Sequence, residues 1–210
     1  MQAAAAETAA LEIRSARLRW VRPLHQINIV GVMGAGKTTL LMKLWALFKR
    51  NHRPATSIYF QFERDLLDEF WEAVKSIETP YAYVAIDDIS FALSRGDREF
   101  LHSLTKIRHL NRRVKKWVVA TAMHYGKATL PFLRQSHTKV LLSLVEPEEI
   151  ESLRWSFTVQ ALWDYYYVYV SDPLGHWALF NWLGQIFITR IHKPRRVRCW
   201  DIVVNGPECV

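Results

Sequence analysis

A glycine-rich stretch, Gly31 to Thr38, holds the residues whose types and spacing point most directly to chemistry. It fits the pattern G-x-x-x-x-G-K-[ST] at every fixed position. Glycines let backbone N–H groups curve around a polyphosphate, the lysine supplies charge for the β- and γ-phosphates, and the threonine hydroxyl is a ligand for Mg²⁺. We therefore predict a nucleotide site with Lys37 as a catalytic group, formed by Gly31, Val32, Met33, Gly34, Ala35, Gly36, Lys37, Thr38 and Thr39.

Two carboxylates, Asp87 and Asp88, directly follow the apolar run Tyr81 to Ile86. A strand that ends in acidic residues is typical of the Walker B segment that accompanies such a loop. We predict that Asp87 holds the Mg²⁺ shell with Thr38, and that Asp88 polarises the attacking water. Glu63, at the end of the preceding predicted strand, is a competing candidate for the base, and Asp88 is also compatible with a simple turn cap.

A third group of polar residues lies at and beyond the predicted strand Trp117 to Ala122. Thr121 and His124 are candidates to sense the γ-phosphate or to position the water. Arg134 precedes the fifth predicted strand, which we expect at a flank of the sheet where a neighbouring subunit can dock. It is therefore a candidate arginine finger acting in trans, or an ordinary surface arginine. The alternative fingers are Arg95, Arg98 and Arg154.

The elements that must position these residues alternate along the chain. Strands are predicted over residues 27–32, 57–62, 81–86, 117–122 and 140–144. Helices are predicted over residues 38–50, 65–77, 97–110, one turn at 130–134, and from 147 to about 165. This alternation predicts an α/β fold with a doubly wound, mainly parallel sheet covered by helices on both faces, and with extra C-terminal strands. The insertion of a whole βα unit, residues 51–80, between the lysine and the acidic pair distinguishes multi-strand motor ATPases from simple nucleotide kinases.

Composition sets the broad class. The chain has 210 residues, 50% of them hydrophobic, so a sizeable core is available and whole-chain disorder is excluded. Two cysteines exclude a disulfide scaffold and suit a reducing compartment or one indifferent to redox. No run is long enough to span a membrane, and no signal peptide is recognised. We expect an N-terminal extension over 1–25, an ATPase core over 26–145, and a helix and strands over 146–210 that complete or extend the same domain.

Charge indicates an anionic partner. The formal net charge is +8 and the pI is about 9.6, which favours nucleic acid. Basic residues cluster at Lys106 to Lys116 and at His192 to Arg198, where they predict phosphate contacts or form a solvated face. Acidic stretches at Asp65 to Glu72 and Glu146 to Glu151 are complementary in sign, which suits a head-to-tail ring.

Together these motifs resemble the FtsK–HerA superfamily of DNA-translocating ATPases, most of all the genome-packaging ATPases of archaeal turreted icosahedral viruses. The resemblance covers roughly residues 26–145. Its residues are GVMGAGKTT at 31–39, YVAIDD at 83–88 and ATAMHYGKATLPFLRQ at 120–135. Two positions depart from the superfamily pattern: Ala122 stands where Gln is common, which moves the sensor role to Thr121 or His124, and Asp88 stands where Glu is common.

The resemblance implies a RecA/FtsK-like P-loop NTPase that uses ATP and Mg²⁺ to move double-stranded DNA into a viral capsid. It implies a homo-oligomeric ring, with a hexamer favoured, and a capsid or membrane-vertex protein as a partner. The expected location is the cytoplasm of the infected host cell or the virion, without secretion. The rival functions are a RecA-like helicase or recombination ATPase, a non-motor nucleotide-dependent assembly switch, and a small-molecule kinase, which the acidic pair disfavours.

Overall fold

Short runs of β-branched and aromatic residues form the strands of one sheet, as their β propensity predicts. The computed structural model describes residues 19–144, 146–191 and 199–209, and for Arg98 it describes the backbone alone. The strands are β1 (Leu24–Val30), β2 (Ala55–Gln61), β3 (Tyr81–Asp87), β4 (Lys116–Met123), β5 (Thr138–Leu141), β6 (Trp177–Trp182), β7 (Gln185–Arg190) and β8 (Ile202–Asn205). The first eighteen residues of the extension predicted over 1–25 lie outside the described residues, and so does the basic run His192 to Arg198.

Helices occupy most of the connections between these strands. They are α1 (Lys37–Asn51), α2 (Leu67–Lys75), α3 (Ser90–Arg95), α4 (Arg98–Thr105), α5 (Ile107–Leu110), α6 (Thr129–Gln135), α7 (Glu148–Leu153) and α8 (Val159–Ser171). Short 3₁₀ turns lie at Arg64–Leu66 and Pro173–Gly175. None of the helices in the described ranges is long and apolar enough to cross a membrane.

The sheet has the order β7-β6-β5-β1-β4-β3-β2-β8. All neighbours from β5 to β8 are parallel, whereas the β6–β7 hairpin is antiparallel and pairs with β5. Strand β4 lies between β1 and β3, so the strand that carries the P-loop and the strand that carries the acidic pair are separated by one strand. The mainly parallel α/β sheet with added C-terminal strands is confirmed.

Four details of the sequence prediction are wrong. The strand β5 does not lie at a flank, because the hairpin β6–β7 continues the sheet beyond it. The helix predicted from 147 to 165 is two helices, since Thr158 caps a new one by accepting from the backbone N–H of Ala161 at 3.2 Å. The helix predicted over 97–110 is also divided, and a further helix, α3, begins two residues after Asp88.

Alternation along the parallel strands divides the core between two faces. One face packs against α1 and includes Ile27, Ile29, Tyr59, Tyr83 and Ala120. The opposite face packs against helices that include α2, α6 and α8, and includes Val30, Ile58, Val84, Val119 and Met123. A side chain on a strand therefore lies on the same face as α1 only if it points to the face that includes Tyr59, Tyr83 and Ala120.

Candidate active site

The glycines of the P-loop are required by its backbone. Gly34 and Gly36 have φ of 77° and 89°, in the left-handed region that favours glycine. Gly31 is required by close approach instead, because a Cβ there would lie 2.9 Å from the Cβ of Leu142. The loop then leads into α1, whose first turn carries no acidic residue, so the positive end of this fifteen-residue helix faces the loop.

Neighbouring strands hold the start of the loop in place. The backbone N–H of Gly31 donates to the carbonyl of Met123 at 3.2 Å, and the N–H of Val32 donates to Oγ of buried Ser143 at 2.9 Å. The Lys37 ammonium closes the loop by donating to the carbonyls of Gly31 at 3.0 Å and Val32 at 2.9 Å. The loop is therefore anchored to the end of β4 and to the segment that follows β5, and its lysine lies inside the curve.

The Lys37 ammonium is in an electrostatically mixed environment. The residue is only 8% exposed, and burial lowers the pKa of its amine, while Asp87 and Asp88 act in the opposite direction. Both carboxylates are thus close enough to Lys37 to interact with it. The structure brings together the lysine and the acidic pair, which are fifty residues apart along the chain.

Asp87 is the most tightly held of these groups. Its Oδ2 accepts from the Thr38 hydroxyl at 2.5 Å and from the Tyr59 hydroxyl at 3.0 Å, and its Oδ1 accepts from the backbone N–H of Asp88 at 3.0 Å. Three donors fix the orientation of this carboxylate. Thr38 and Asp87 thus present two oxygens at one point beside Lys37.

Asp88 lies on the exposed side of the same point. Its φ of 52° is left-handed, a conformation that Asp tolerates better than most residues, and it turns the side chain out of the strand. The carboxylate is 52% exposed and lies 3.6 Å from Nε2 of His124. The backbone N–H of His124 donates to Oγ of Ser90 at 2.7 Å, which ties the end of β4 to the start of α3. Asp88 and His124 are therefore neighbours.

The other base candidate, Glu63, lies elsewhere along the strand ends. It is exposed beyond β2, and its Oε2 accepts from Nδ2 of Asn205 at 3.0 Å. Strand β2 is three positions from β1 in the sheet, whereas β3 is two positions away. The structure places Glu63 at the same edge as Asp88 but farther from the P-loop strand.

Thr121 is hydrogen-bonded to a buried neighbour on the face of the sheet opposite α1. Its hydroxyl donates to Oδ1 of Asn28 at 2.8 Å, and Nδ2 of Asn28 donates to the carbonyl of Phe132 at 2.8 Å. Because Thr121 shares parity with Val119 and Met123, it points to the face opposite α1. The structure does not bring Thr121 to the P-loop, and the three residues instead tie α6 to the centre of the sheet.

The described arginine candidates all contact aromatic rings of their own chain. Arg134 lies over Trp155 at 5.7 Å, Arg154 lies over the same ring at 5.2 Å, and Arg95 lies over Phe91 at 4.2 Å. Arg154 also pairs with Glu151 at 2.7 Å. Trp155 is 66% exposed, and Arg134 is an exposed residue whose guanidinium lies over this ring. The side chain of Arg98 lies outside the described structure.

Sequence reasoning missed Tyr59, which contacts Asp87 directly. Tyr59 and Asp87 point to the same face of the sheet because β2 and β3 are parallel neighbours in which Gln61 pairs with Asp87. That register is not readable from a single sequence. Two further residues, Asn28 and Ser143, were missed because each bonds to a partner about one hundred residues away.

The donor set at this edge fits a nucleotide with Mg²⁺. Thr38 and Asp87 offer hydroxyl and carboxylate oxygens, the ligands that Mg²⁺ prefers. The P-loop and α1 offer N–H groups and Lys37, which suit phosphate oxygens. The sheet order, the P-loop after β1 and the acidic pair after β3 together define an α/β P-loop NTPase fold.

Comparison with solved structures identifies proteins of the same fold. The chain is similar to the genome-packaging NTPase B204 of Sulfolobus turreted icosahedral virus 2 in complex with ATP-gammaS, with a TM-score of 0.55 and 14% identity over 82% of this chain and 100% of that one. It is also similar to B204, the DNA-packaging ATPase from Sulfolobus turreted icosahedral virus, with a TM-score of 0.53 and 12% identity over 80% and 98%.

A third similar structure is the cytoplasmic domain of the Type VII secretion ATPase EccC of Thermomonospora curvata, with a TM-score of 0.52 and 14% identity. There the match covers 89% of this chain and 28% of that one. No protein family model and no curated protein sequence matches the chain. The expected resemblance to viral genome-packaging ATPases is thus confirmed at the level of the fold, at identities where sequence comparison finds nothing.

Proposed function

We propose that the chain is an ATPase that couples hydrolysis to the movement of double-stranded DNA, as in packaging a viral genome. The observation that carries the hydrolytic part is the junction of Thr38 and Asp87 at 2.5 Å beside the Lys37 ammonium. The similarity to viral genome-packaging NTPases supports the packaging role, and the similar B204 structure in complex with ATP-gammaS supports ATP as the nucleotide.

Each residue of the junction has a distinct part in this proposal. Lys37 and the N–H groups of the P-loop bind and orient the phosphates, so that the reacting bond is held in position. Thr38 and Asp87 would hold Mg²⁺, which supplies neutralisation of phosphate charge when bound. These residues act by position and charge, which is how most of the rate enhancement in phosphoryl transfer arises.

We favour Asp88 over Glu63 as the group that polarises the water. Asp88 follows the strand nearer to β1, its exposed carboxylate interacts with Lys37, and His124 lies beside it at 3.6 Å. Because His124 contacts Asp88, it is favoured over Thr121 as the group that responds to the γ-phosphate. Glu63 stays the competitor, since it lies at the same edge of the sheet.

A fixed basic loop supports the DNA part. Arg112, Arg113 and Lys115 are exposed, and the loop that carries them is held by buried Asn111, whose Nδ2 donates to three carbonyls at the end of α2 and beyond it. Such a loop presents charge without the entropy cost of ordering a mobile run. The fourth basic residue, Lys116, differs: it is buried, with its ammonium 3.0 Å from Nε2 of His52.

The oligomeric part of the proposal is a homo-oligomeric ring, with a hexamer favoured, acting with a capsid or membrane-vertex protein in the infected cell. Arg134 would then act in trans on the nucleotide of a neighbour. Arg134→Ala and Lys37→Ala proteins, each poorly active alone, should partly restore hydrolysis when mixed, because some boundaries combine an intact Lys37 with an intact Arg134. A proven co-assembly that stays inactive would assign Arg134 to its contact with Trp155.

Steady-state ATP hydrolysis with and without duplex DNA, over a range of salt, tests the function. We expect turnover that duplex DNA stimulates and that salt reduces. Stimulation by single strands alone would favour the helicase alternative, and turnover indifferent to DNA would favour the assembly switch. Lys37→Ala protein is the control for contaminating activity.

A further inference from the structure

Tyr59 is the one described side chain on Asp87 besides Thr38, and its surroundings come from the C-terminal end of the chain. Its ring is 2% exposed and its hydroxyl donates to Asp87 Oδ2 at 3.0 Å. The sequence motifs give this residue no role.

The ring of Tyr59 packs against residues 199–209, which we call the C-terminal strap. Trp200 stacks on Tyr59 with 5.2 Å between ring centroids and 29° between planes. At the other end of the strap, a Cβ on Gly206 would lie 2.5 Å from Cε1 of Tyr59, and Gly206 has φ of 110°. No residue other than glycine fits there without displacing the ring or the strap.

The strap is fastened to β2 at several points. Cys199 and Cys209 form a disulfide. Between them, the backbone N–H of Trp200 donates to the carbonyl of Glu208 at 3.0 Å. Asp201 Oδ2 accepts from the backbone N–H and the hydroxyl of Ser57 at 2.8 and 2.9 Å. The strand β8 pairs in parallel with β2, and its register shifts between Tyr59 and Phe60. The closed strap and the β-strand that carries Tyr59 therefore form one packed unit.

We propose that Tyr59 is a positioning residue for Asp87. The C-terminal strap holds Tyr59 in place and so determines how much Mg²⁺ raises the affinity of the site for nucleotide. The inference rests on the proposed nucleotide hydrolysis at this site. The reason is geometric: a carboxylate that holds a hydrated cation must keep one orientation, and Tyr59 fixes the oxygen that Thr38 shares. If the ring shifts by the width of a methyl group, that hydrogen bond is lost.

The test measures the affinity for ATPγS with saturating Mg²⁺ and with EDTA. Tyr59→Phe removes one hydroxyl and keeps the ring. We define the Mg²⁺ ratio as the affinity with Mg²⁺ divided by the affinity in EDTA. Tyr59→Phe should lower this ratio roughly 10-fold, the usual scale for a hydrogen bond to a charged group, and should leave the affinity in EDTA unchanged. Tyr83→Phe is the matched control, because its hydroxyl is equally buried on the same face but donates to the carbonyl of Leu41 at 2.8 Å.

The strap is tested by Gly206→Ala and, in case that variant does not fold, by reduction of the disulfide. Each should lower the Mg²⁺ ratio in the wild type and have no further effect in Tyr59→Phe protein, because both act through the same hydroxyl. An unchanged ratio in Tyr59→Phe, an equal fall in Tyr83→Phe, or additive effects of strap and hydroxyl would each overturn the inference. A wild type that binds no ATPγS in either condition would instead refute the proposed function.

Discussion

The salt dependence of DNA binding gives a prediction whose size follows from the structure. The basic cluster Lys106 to Lys116 includes the exposed residues Arg112, Arg113 and Lys115 on one fixed loop, and the buried Lys116. Each phosphate contact contributes about 0.9 to the slope of log K against log salt, because it releases a condensed counterion. Replacing the three exposed residues with Gln should therefore lower the magnitude of the slope by about 2.7.

This difference in slope is large enough to measure directly. Between 50 and 200 mM salt, a slope of about 2.7 corresponds to about a 40-fold loss of affinity, which the triple variant should not show. The assay is fluorescence anisotropy with labelled duplexes of two unrelated sequences, at four or more salt concentrations. Both duplexes should give the same slope, because contacts to the phosphate backbone carry no sequence information.

Lys116→Gln is the matched control for this prediction. Its ammonium contacts His52 in the interior and burial lowers its pKa to about 8, so it is not available to phosphates and its replacement should leave the slope unchanged. A triple variant with the wild-type slope would return the loop to a solvated face. A Lys116 variant that flattens the slope would refute the reasoning from burial.

Three further predictions concern the site and the core. Lys37→Ala and, separately, Asp87→Asn should each reduce hydrolysis by orders of magnitude while circular dichroism shows an intact fold, since they remove the phosphate charge and a metal ligand. Between Asp88→Asn and Glu63→Gln, the larger fall in turnover with ATP binding retained identifies the base, and we expect it for Asp88. Burial lowers the pKa of His25 from 6.5 to about 3, so the contribution of neutral His25 to folding stability is fully present above pH 6.5 and is lost as the pH falls towards 3. Urea unfolding should show that lowering the pH to 5 destabilises His25→Gln protein by about 2 kcal/mol less than the wild type, and an equal loss in both proteins would contradict the prediction.

The parts of the site that the sequence predicts are those encoded within a few consecutive residues. The P-loop is recognisable because a tight turn around phosphates needs glycines at fixed spacing, and Gly34 and Gly36 indeed have positive φ. Asp87 is recognisable because an apolar strand that ends in carboxylates has few other uses. The alternation of strands and helices likewise predicts the parallel sheet, since each element is defined by its own local period.

The parts that the sequence does not predict depend on which distant segments become neighbours. Thr121 has the residue type and sequence position expected of a sensor. Its alternation with Val119 and Met123 and its bond to Asn28 nevertheless place it on the face opposite α1. Tyr59 contacts Asp87 because β2 and β3 pair in one particular register. The position of β5 inside the sheet follows from a hairpin formed forty residues later. Each of these facts requires the strand order, which no local pattern contains.

The strand β4 links the two regions that the proposed motor must couple. It begins directly after Lys115 in the basic loop and ends directly before His124 at the nucleotide edge, a span of roughly 23 Å for eight residues. All eight are buried, and β4 pairs along its length with β1 on one side and β3 on the other. A strand bonded on both edges does not slide by one residue, because that would turn every side chain to the wrong face. In the proposed motor, β4 and the basic loop would therefore move together, and we expect the displacement that moves DNA to arise between subunits. This is a physical reason to favour a ring over a switch that acts as a single chain.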